Sequence, residues 1–299
     1  MFQGVLPPIP TPFDQNGQLD LGALRANVSS WNETGLAGYV ALGTNGEAPL
    51  LDEAESVAVW RTVRQAMAPG MVLMAGAGRE STRATLSACQ AAADAGADAA
   101  LVITPWYYKN SMTADVLRRH YQSVADASPI PILLYNMPGN TGVNLPVPTV
   151  AELARHPNIV GIKDSAGDIG QLSAIIRATP DDFAVMCGNA GAFLPGLVLG
   201  AEGGILALAN IAARQTVALY QAARAGRMDE ARQLHDRLMP AATAITRTYG
   251  ISGLKVALDM VGYVGGQPRP PLLPLSPEGM ADIRRILEMA GLVPGGSLC

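Results

Sequence analysis

The chain has 299 residues, 49% of them hydrophobic and 15% charged, with a formal net charge of −4. That is ample apolar material for a large core, and the absence of a basic stripe or charge block argues against a nucleic-acid partner. No apolar run approaches the roughly 20 residues that a membrane span needs.

In chain order, Met1-Phe2-Gln3-Gly4-Val5 enters an apolar run with neither the basic segment nor the cleavage site of a signal peptide. From there one unit repeats: a short apolar run, a polar or glycine-rich corner, then a helical pattern. The runs are Val5–Pro8, Gly38–Leu42, Val72–Ala75, Ala99–Ile103, Ile130–Tyr135, Ile159–Lys163, Phe183–Cys187 and Gly203–Leu206. They lack period-two alternation, as strands covered on both faces do. Leu21–Thr34, Asp52–Met67, Ser81–Ala95 and Thr113–Ala127 read as helices. Asp52 with Glu55 reads as a capping box, and Gly35 and Gly96 as helix stops. Eight strands alternating with helices predict a closed (β/α)8 barrel over residues 1–225. A doubly wound sheet is the alternative, but it calls for a nucleotide-binding glycine loop after the first strand, which this chain lacks.

After the eighth run the pattern turns helical. Ala212–Thr248 with a break near Gly226, then Gly253–Val261 and Pro277–Ala290, predict a C-terminal helical bundle over residues 226–299, ending in a loose tail, Gly291–Cys299. The bundle shows no charged constellation of its own, so its expected role is packing or subunit contact. Cys89, Cys187 and Cys299 share no metal or redox spacing and fit a reducing cytoplasm.

In a (β/α)8 barrel the reactive groups lie at the carboxyl ends of the strands. Here those ends carry Gly43-Thr44-Asn45-Gly46-Glu47, Thr104-Pro105-Trp106-Tyr107-Tyr108, Tyr135-Asn136-Met137-Pro138, Lys163, Gly188-Asn189 and Gly203-Gly204-Ile205. His120 and His235 fall in helical stretches and His156 in a turn, so no metal-ligand set assembles. Of the 21 basic residues only Lys109, Lys163 and Lys255 are lysines. A lysine, unlike an arginine, forms an imine with a carbonyl compound once it is neutral, and burial favours the neutral amine. Lys163 therefore reads either as an imine-forming amine or as a strand-end partner of Asp164 or another carboxylate. Tyr135 reads either as the acid/base that carries protons for that amine or as a core tyrosine. The Gly43–Gly46 loop offers backbone N–H groups and the Thr44 hydroxyl to a carboxylate. Together these residues suggest an imine-forming enzyme acting on a 2-oxo acid.

The combination of Gly4 to Phe13, Gly43 to Glu47, Thr104-Pro105, Tyr135 to Pro138 and Gly161-Ile162-Lys163-Asp164-Ser165 resembles the dihydrodipicolinate synthase/N-acetylneuraminate lyase family of class I aldolases, and the likeness runs over nearly the whole chain. The resemblance implies a Schiff base between Lys163 and pyruvate, with no other cofactor and no metal. It implies a proton relay through Tyr135, Thr44 and Tyr107, and backbone donors at Thr44 and Asn45 for the pyruvate carboxylate. It also implies an oligomer: Tyr107 would reach in from a neighbouring subunit of a tight dimer, and two dimers would form a tetramer.

Synthases of the family carry a carboxylate-binding arginine where this chain has Asn140, and a second threonine where it has Asn45. Gly43 to Glu47, Pro138 to Gly142, Asn158 to Ser165, Ala207 to Asn210 and Gly250 to Lys255 are more similar to 4-hydroxy-2-oxoglutarate aldolases. In that reading Asn140, Ser165 and Ile205 join Thr44 and Asn45 in binding substrate, and Lys255 is a structural residue of the bundle. The alternatives are the synthase, a sugar-acid lyase or dehydratase, and a catalytically silent barrel that binds a 2-oxo acid.

Overall fold

The computed structural model describes residues 2–294, so the last five residues of the expected tail, Cys299 among them, lie outside the described residues. The sheet is a closed ring of parallel strands. Strands β1 (Gly4–Leu6) and β2 (Pro8–Ile9) are two pieces of one barrel strand. Next come β3 (Gly38–Ala41), β4 (Val72–Gly76), β5 (Ala99–Ile103), β6 (Ile132–Asn136), β7 (Ile159–Asp164), β8 (Ala184–Cys187) and β9 (Gly203–Ile205). Each pairs with the next, and the ring closes where β1 pairs with β9 and β2 with β3. The single run expected at Val5–Pro8 is split at Pro7. Neither Pro7 nor Pro8 has an N–H to donate, but the Pro7 carbonyl still accepts from the Val40 N–H at 2.9 Å. Closure also needs a glycine: a Cβ on Gly203 would stand 2.0 Å from the Gly4 carbonyl oxygen.

The strands are buried on both faces, which is why no alternation shows in the sequence. Leu6, Val40, Met74, Leu101, Leu133 and Met186 fill the barrel interior. A second, larger core lies between strands and helices. The helices around the ring are α1 (Leu21–Trp31), α2 (Glu53–Ala66), α3 (Thr82–Asp94), α4 (Ala114–Ala127), the short α5 (Pro138–Thr141), α6 (Val147–Leu153), α7 (Ile169–Ala178), α8 (Ala190–Val198) and α9 (Ala213–Arg224). The capping box forms as expected: Asp52 accepts from the Glu55 N–H at 2.8 Å, and Glu55 from the Asp52 N–H at 3.0 Å. Beyond α9 follow α10 (Met228–Thr243), a π-helical turn (Ala244–Thr248), α11 (Gly250–Met260) and α12 (Pro277–Met289). Among the described residues no helix is long and apolar enough to cross a membrane.

Candidate active site

The position of Lys163 depends on an irregularity in the sheet. Ile132 of β6 pairs with Ile159 of β7, but Leu133 pairs with Gly161, so Val160 is one residue too many. Bulges of this kind re-aim side chains. Without the shift Tyr135 would stand beside Ile162; with it, Tyr135 stands beside Lys163. The Lys163 Nζ lies 4.1 Å from the centre of the Tyr135 ring. Successive strand residues face opposite sides, so Asp164 turns away from Lys163. Asp164 accepts from the Ala166 N–H at 2.8 Å, from Gln171 at 3.3 Å and from Asn136 at 3.4 Å. Burial pushes its carboxyl above the ordinary carboxylate range, against these hydrogen bonds. Among the described residues the two neighbours form no ion pair with each other, which removes Asp164 as the strand-end partner of Lys163.

The three lysines now separate. Lys109 is exposed on a 3₁₀ turn. Lys255 has a side chain only 1% exposed, lies 2.6 Å from Glu47 and donates to the carbonyls of Thr11 and Gln267 at 2.8 and 2.7 Å. Lys163 is 3% exposed and, among the described residues, has no carboxylate partner.

The Tyr135 hydroxyl is 3.0 Å from the Thr44 hydroxyl. Thr44 opens a 3₁₀ turn, Thr44–Gly46, whose first internal hydrogen bond is donated by Gly46 to Gly43. The N–H groups of Thr44 and Asn45 precede that bond and stand outside the pattern of the turn. The turn is fixed from below: Thr11 donates to the Gly46 carbonyl at 2.7 Å. Glu47, left-handed at φ +57°, accepts from the Arg269 N–H at 2.9 Å and meets Lys255. Arg269 in turn holds both Glu55 oxygens, at 2.7 and 2.6 Å, and stacks 4.2 Å over Phe13. Lys255 is thus a structural residue, as expected, but it supports the loop beside the amine as well as the bundle.

Lys163, Tyr135, Thr44, Asn45, Asn140, Ser165 and Ile205 all line one cavity of about 470 Å³. Two of its polar atoms, Ser165 Oγ and Asn45 Nδ2, are buried without a hydrogen-bond partner. Gly188 makes room for this set: a Cβ there would come within 1.9 Å of Ser165 Oγ and 3.0 Å of Lys163 Cε. A second cavity of about 260 Å³ shares Thr44, Tyr135 and Asn140 and adds Trp106 and Arg79. Arg79 donates to the carbonyls of Gly76 and Gly78 at 3.3 and 3.0 Å and does not line the larger cavity.

Tyr107 is the one expected site residue that a single chain leaves apart. It is 75% exposed, lines neither cavity, and stacks edge-on against Tyr108 at 5.0 Å. None of the three histidines lines the larger cavity. No group of three or more His, Cys, Asp or Glu able to hold a metal occurs among the described residues. The C-terminal helices, expected to serve packing or subunit contact, also reach the site. Met239, Thr243, Thr246, Arg247 and Ile251 wall the larger cavity. The local trace of this in the sequence is a cluster of hydroxyls around Arg247 just before Gly250, which resembles any polar helix surface.

A family model described as the dihydrodipicolinate synthetase family matches residues 1–290. A 4-hydroxy-tetrahydrodipicolinate synthase of Methanothrix thermoacetophila is 41% identical over 288 residues, covering 96% of both chains. One from Exiguobacterium is 38% identical over 290 residues, covering 96% of this chain and 98% of the relative. The crystal structure of the chloride-inhibited dihydrodipicolinate synthase of Acinetobacter baumannii, complexed with pyruvate, aligns with a TM-score of 0.94 at 34% identity, covering 98% of this chain and 100% of that one. The expectation of a closest likeness to 4-hydroxy-2-oxoglutarate aldolases is not matched by these names, which are those of synthases. The chain belongs to the dihydrodipicolinate synthetase family, enzymes of the class I, pyruvate-dependent type that work through a lysine Schiff base without an external cofactor.

Proposed function

We propose that Lys163 is the Schiff-base lysine and that the enzyme reversibly cleaves 4-hydroxy-2-oxoglutarate, or a close 4-hydroxy-2-oxo acid, to pyruvate and glyoxylate or another aldehyde. The observation that carries this reading is Lys163 itself: a buried lysine without a counter-ion among the described residues, beside a tyrosine, facing a cavity. In the cleavage direction the Lys163 amine adds to the C2 carbonyl of the substrate, and loss of water leaves an imine. Tyr135, bonded to Thr44, takes the proton of the C4 hydroxyl as the C3–C4 bond breaks. The aldehyde departs, and the enamine left on Lys163 regains a proton at C3 and is hydrolysed to pyruvate. The Thr44 and Asn45 N–H groups hold the pyruvate carboxylate, and the unpartnered Ser165 and Asn45 side chains meet the aldehyde half together with Asn140. Ile205 forms an apolar wall. We read residues 1–225 as the catalytic barrel, 226–299 as the appended bundle, and the protein as a cytoplasmic homo-oligomer. In that oligomer the exposed Tyr107 of one subunit completes the proton relay of another.

The second reading, condensation of pyruvate with aspartate semialdehyde, is favoured by the names of the relatives. Against it stands Asn140: an amide replaces neither the charge nor the two-pronged geometry of an arginine beside a carboxylate. Two measurements test both. Pyruvate with borohydride should add one pyruvate-derived mass per chain, on Lys163, and Lys163→Arg should abolish it. An adduct on Lys109 or Lys255 instead, or none on a folded protein, refutes the imine assignment. Side by side, pyruvate release from 4-hydroxy-2-oxoglutarate should be much faster than condensation with aspartate semialdehyde; the opposite order selects the synthase.

A further inference from the structure

The ionisable residues lining the larger cavity are Tyr135, Lys163 and Arg247, with no aspartate or glutamate among its walls. Arg247 sits in the π-helical turn, Ala244–Thr248, closed by the Tyr249 N–H donating to the Ala244 carbonyl at 2.9 Å. A π turn inside a helical run costs regular hydrogen bonding and is found frequently at functional sites. Arg64, Arg118, Arg119, Arg227, Arg232, Arg269 and Arg285 each pair with a carboxylate. Arg247, like Arg25, Arg61 and Arg83, pairs with none among the described residues, but unlike them it lines the larger cavity.

Lys163 and Arg247 therefore face one cavity from opposite parts of the fold, the barrel and the bundle. Pyruvate's carboxylate is met by the Thr44 and Asn45 N–H groups, and the imine nitrogen takes over the place of the Lys163 amine. That leaves the Arg247 cation and the Ser165 hydroxyl, which is buried without a hydrogen-bond partner, on the walls of the same cavity. A volume of about 470 Å³ accommodates both halves of a short substrate at once. A guanidinium offers two parallel N–H donors, the geometry a carboxylate accepts.

We propose that Arg247 anchors a carboxylate carried by the aldehyde half of the substrate, so that the enzyme selects acidic aldehydes over uncharged ones. This rests on the imine chemistry proposed above and narrows its second substrate to a carboxylated aldehyde, of which glyoxylate and aspartate semialdehyde are both examples. Neutral sugar aldehydes are disfavoured, because they offer the Arg247 guanidinium no charge-assisted hydrogen bond.

The test uses the full chain, Arg247→Gln and Arg247→Lys, with pyruvate and a series of aldehydes: glyoxylate, aspartate semialdehyde and acetaldehyde. In Arg247→Gln the ratio of kcat/KM for the preferred acidic aldehyde to that for acetaldehyde should fall about 10- to 150-fold, the factor for a lost charge-assisted hydrogen-bond pair. The loss should appear mainly in the KM of the aldehyde, and Arg247→Lys should recover part of it. An unchanged ratio, or equal losses on acidic and uncharged aldehydes, overturns the assignment. So does a wild-type enzyme that prefers acetaldehyde. Borohydride trapping of pyruvate on the wild type reports separately on Lys163: a normal adduct with an unchanged ratio refutes Arg247 alone, whereas no adduct refutes the imine reading beneath it.

Discussion

Lys255→Met tests whether the Thr44–Gly46 loop is held from the C-terminal bundle. Methionine approximates the lysine stem in volume but removes the ammonium. Glu47, whose side chain is fully buried, then keeps only the Arg269 N–H at 2.9 Å as a donor. Removing one partner of such a buried pair costs about 3–5 kcal/mol, because the surviving charge stays desolvated. Unfolding entropy near 2.1 cal/mol/K per residue gives roughly 0.6 kcal/mol/K for a chain of this length, so the melting temperature should drop by about 5–8 °C. Glu47 directly follows the Thr44–Gly46 turn, so the KM for pyruvate should rise in the same variant. Lys255→Met/Glu47→Gln should recover about half of the lost stability, since no unpaired charge remains. The assay is a thermal melt of wild type, both single variants and the double variant at one scan rate, with pyruvate saturation kinetics on each. A drop of less than about 2 °C, or strictly additive single effects, would refute the coupling.

Three further outcomes follow from the geometry. Tyr135→Phe should fold and melt close to wild type while turnover falls about 10²–10⁴-fold; a stability loss with normal turnover would make Tyr135 a core residue only. Gly188→Ala places a methyl 1.9 Å from the present Ser165 Oγ, so Ser165 and the Lys163 stem must move, and turnover should fall roughly 10²-fold while far-ultraviolet circular dichroism stays unchanged; wild-type turnover would show that the two side chains need not hold their positions. Burial lowers His120 from 6.5 to about 4. The unfolded chain therefore binds a proton in that interval that the folded chain does not, and stability falls as pH drops from 6.5 toward 4, by at most about 3 kcal/mol. Urea unfolding of wild type and His120→Gln across this range checks it, because the variant should lose that part of the slope.

The strand-and-helix order, the barrel and the residues at its rim were legible in the sequence because each depends on short-range patterns. Apolar runs, capping residues and glycine corners specify elements locally, and parallel strands can only close with their carboxyl ends on one side. That was enough to bring out Lys163, Tyr135 and the Thr44–Asn45 loop together. What the sequence did not determine was how neighbouring strands align. The extra residue at Val160 sets Lys163 rather than Ile162 beside Tyr135, and only the strand pairing reveals it. Nor did it determine which distant segments meet. Arg247 reads as one more helical arginine, and Lys255 as a lysine of the bundle, until the fold carries the first to the cavity wall and the second against Glu47. Such contacts join elements far apart in the chain, and local propensity has no term for them; they follow from how the bundle packs over the mouth of the barrel.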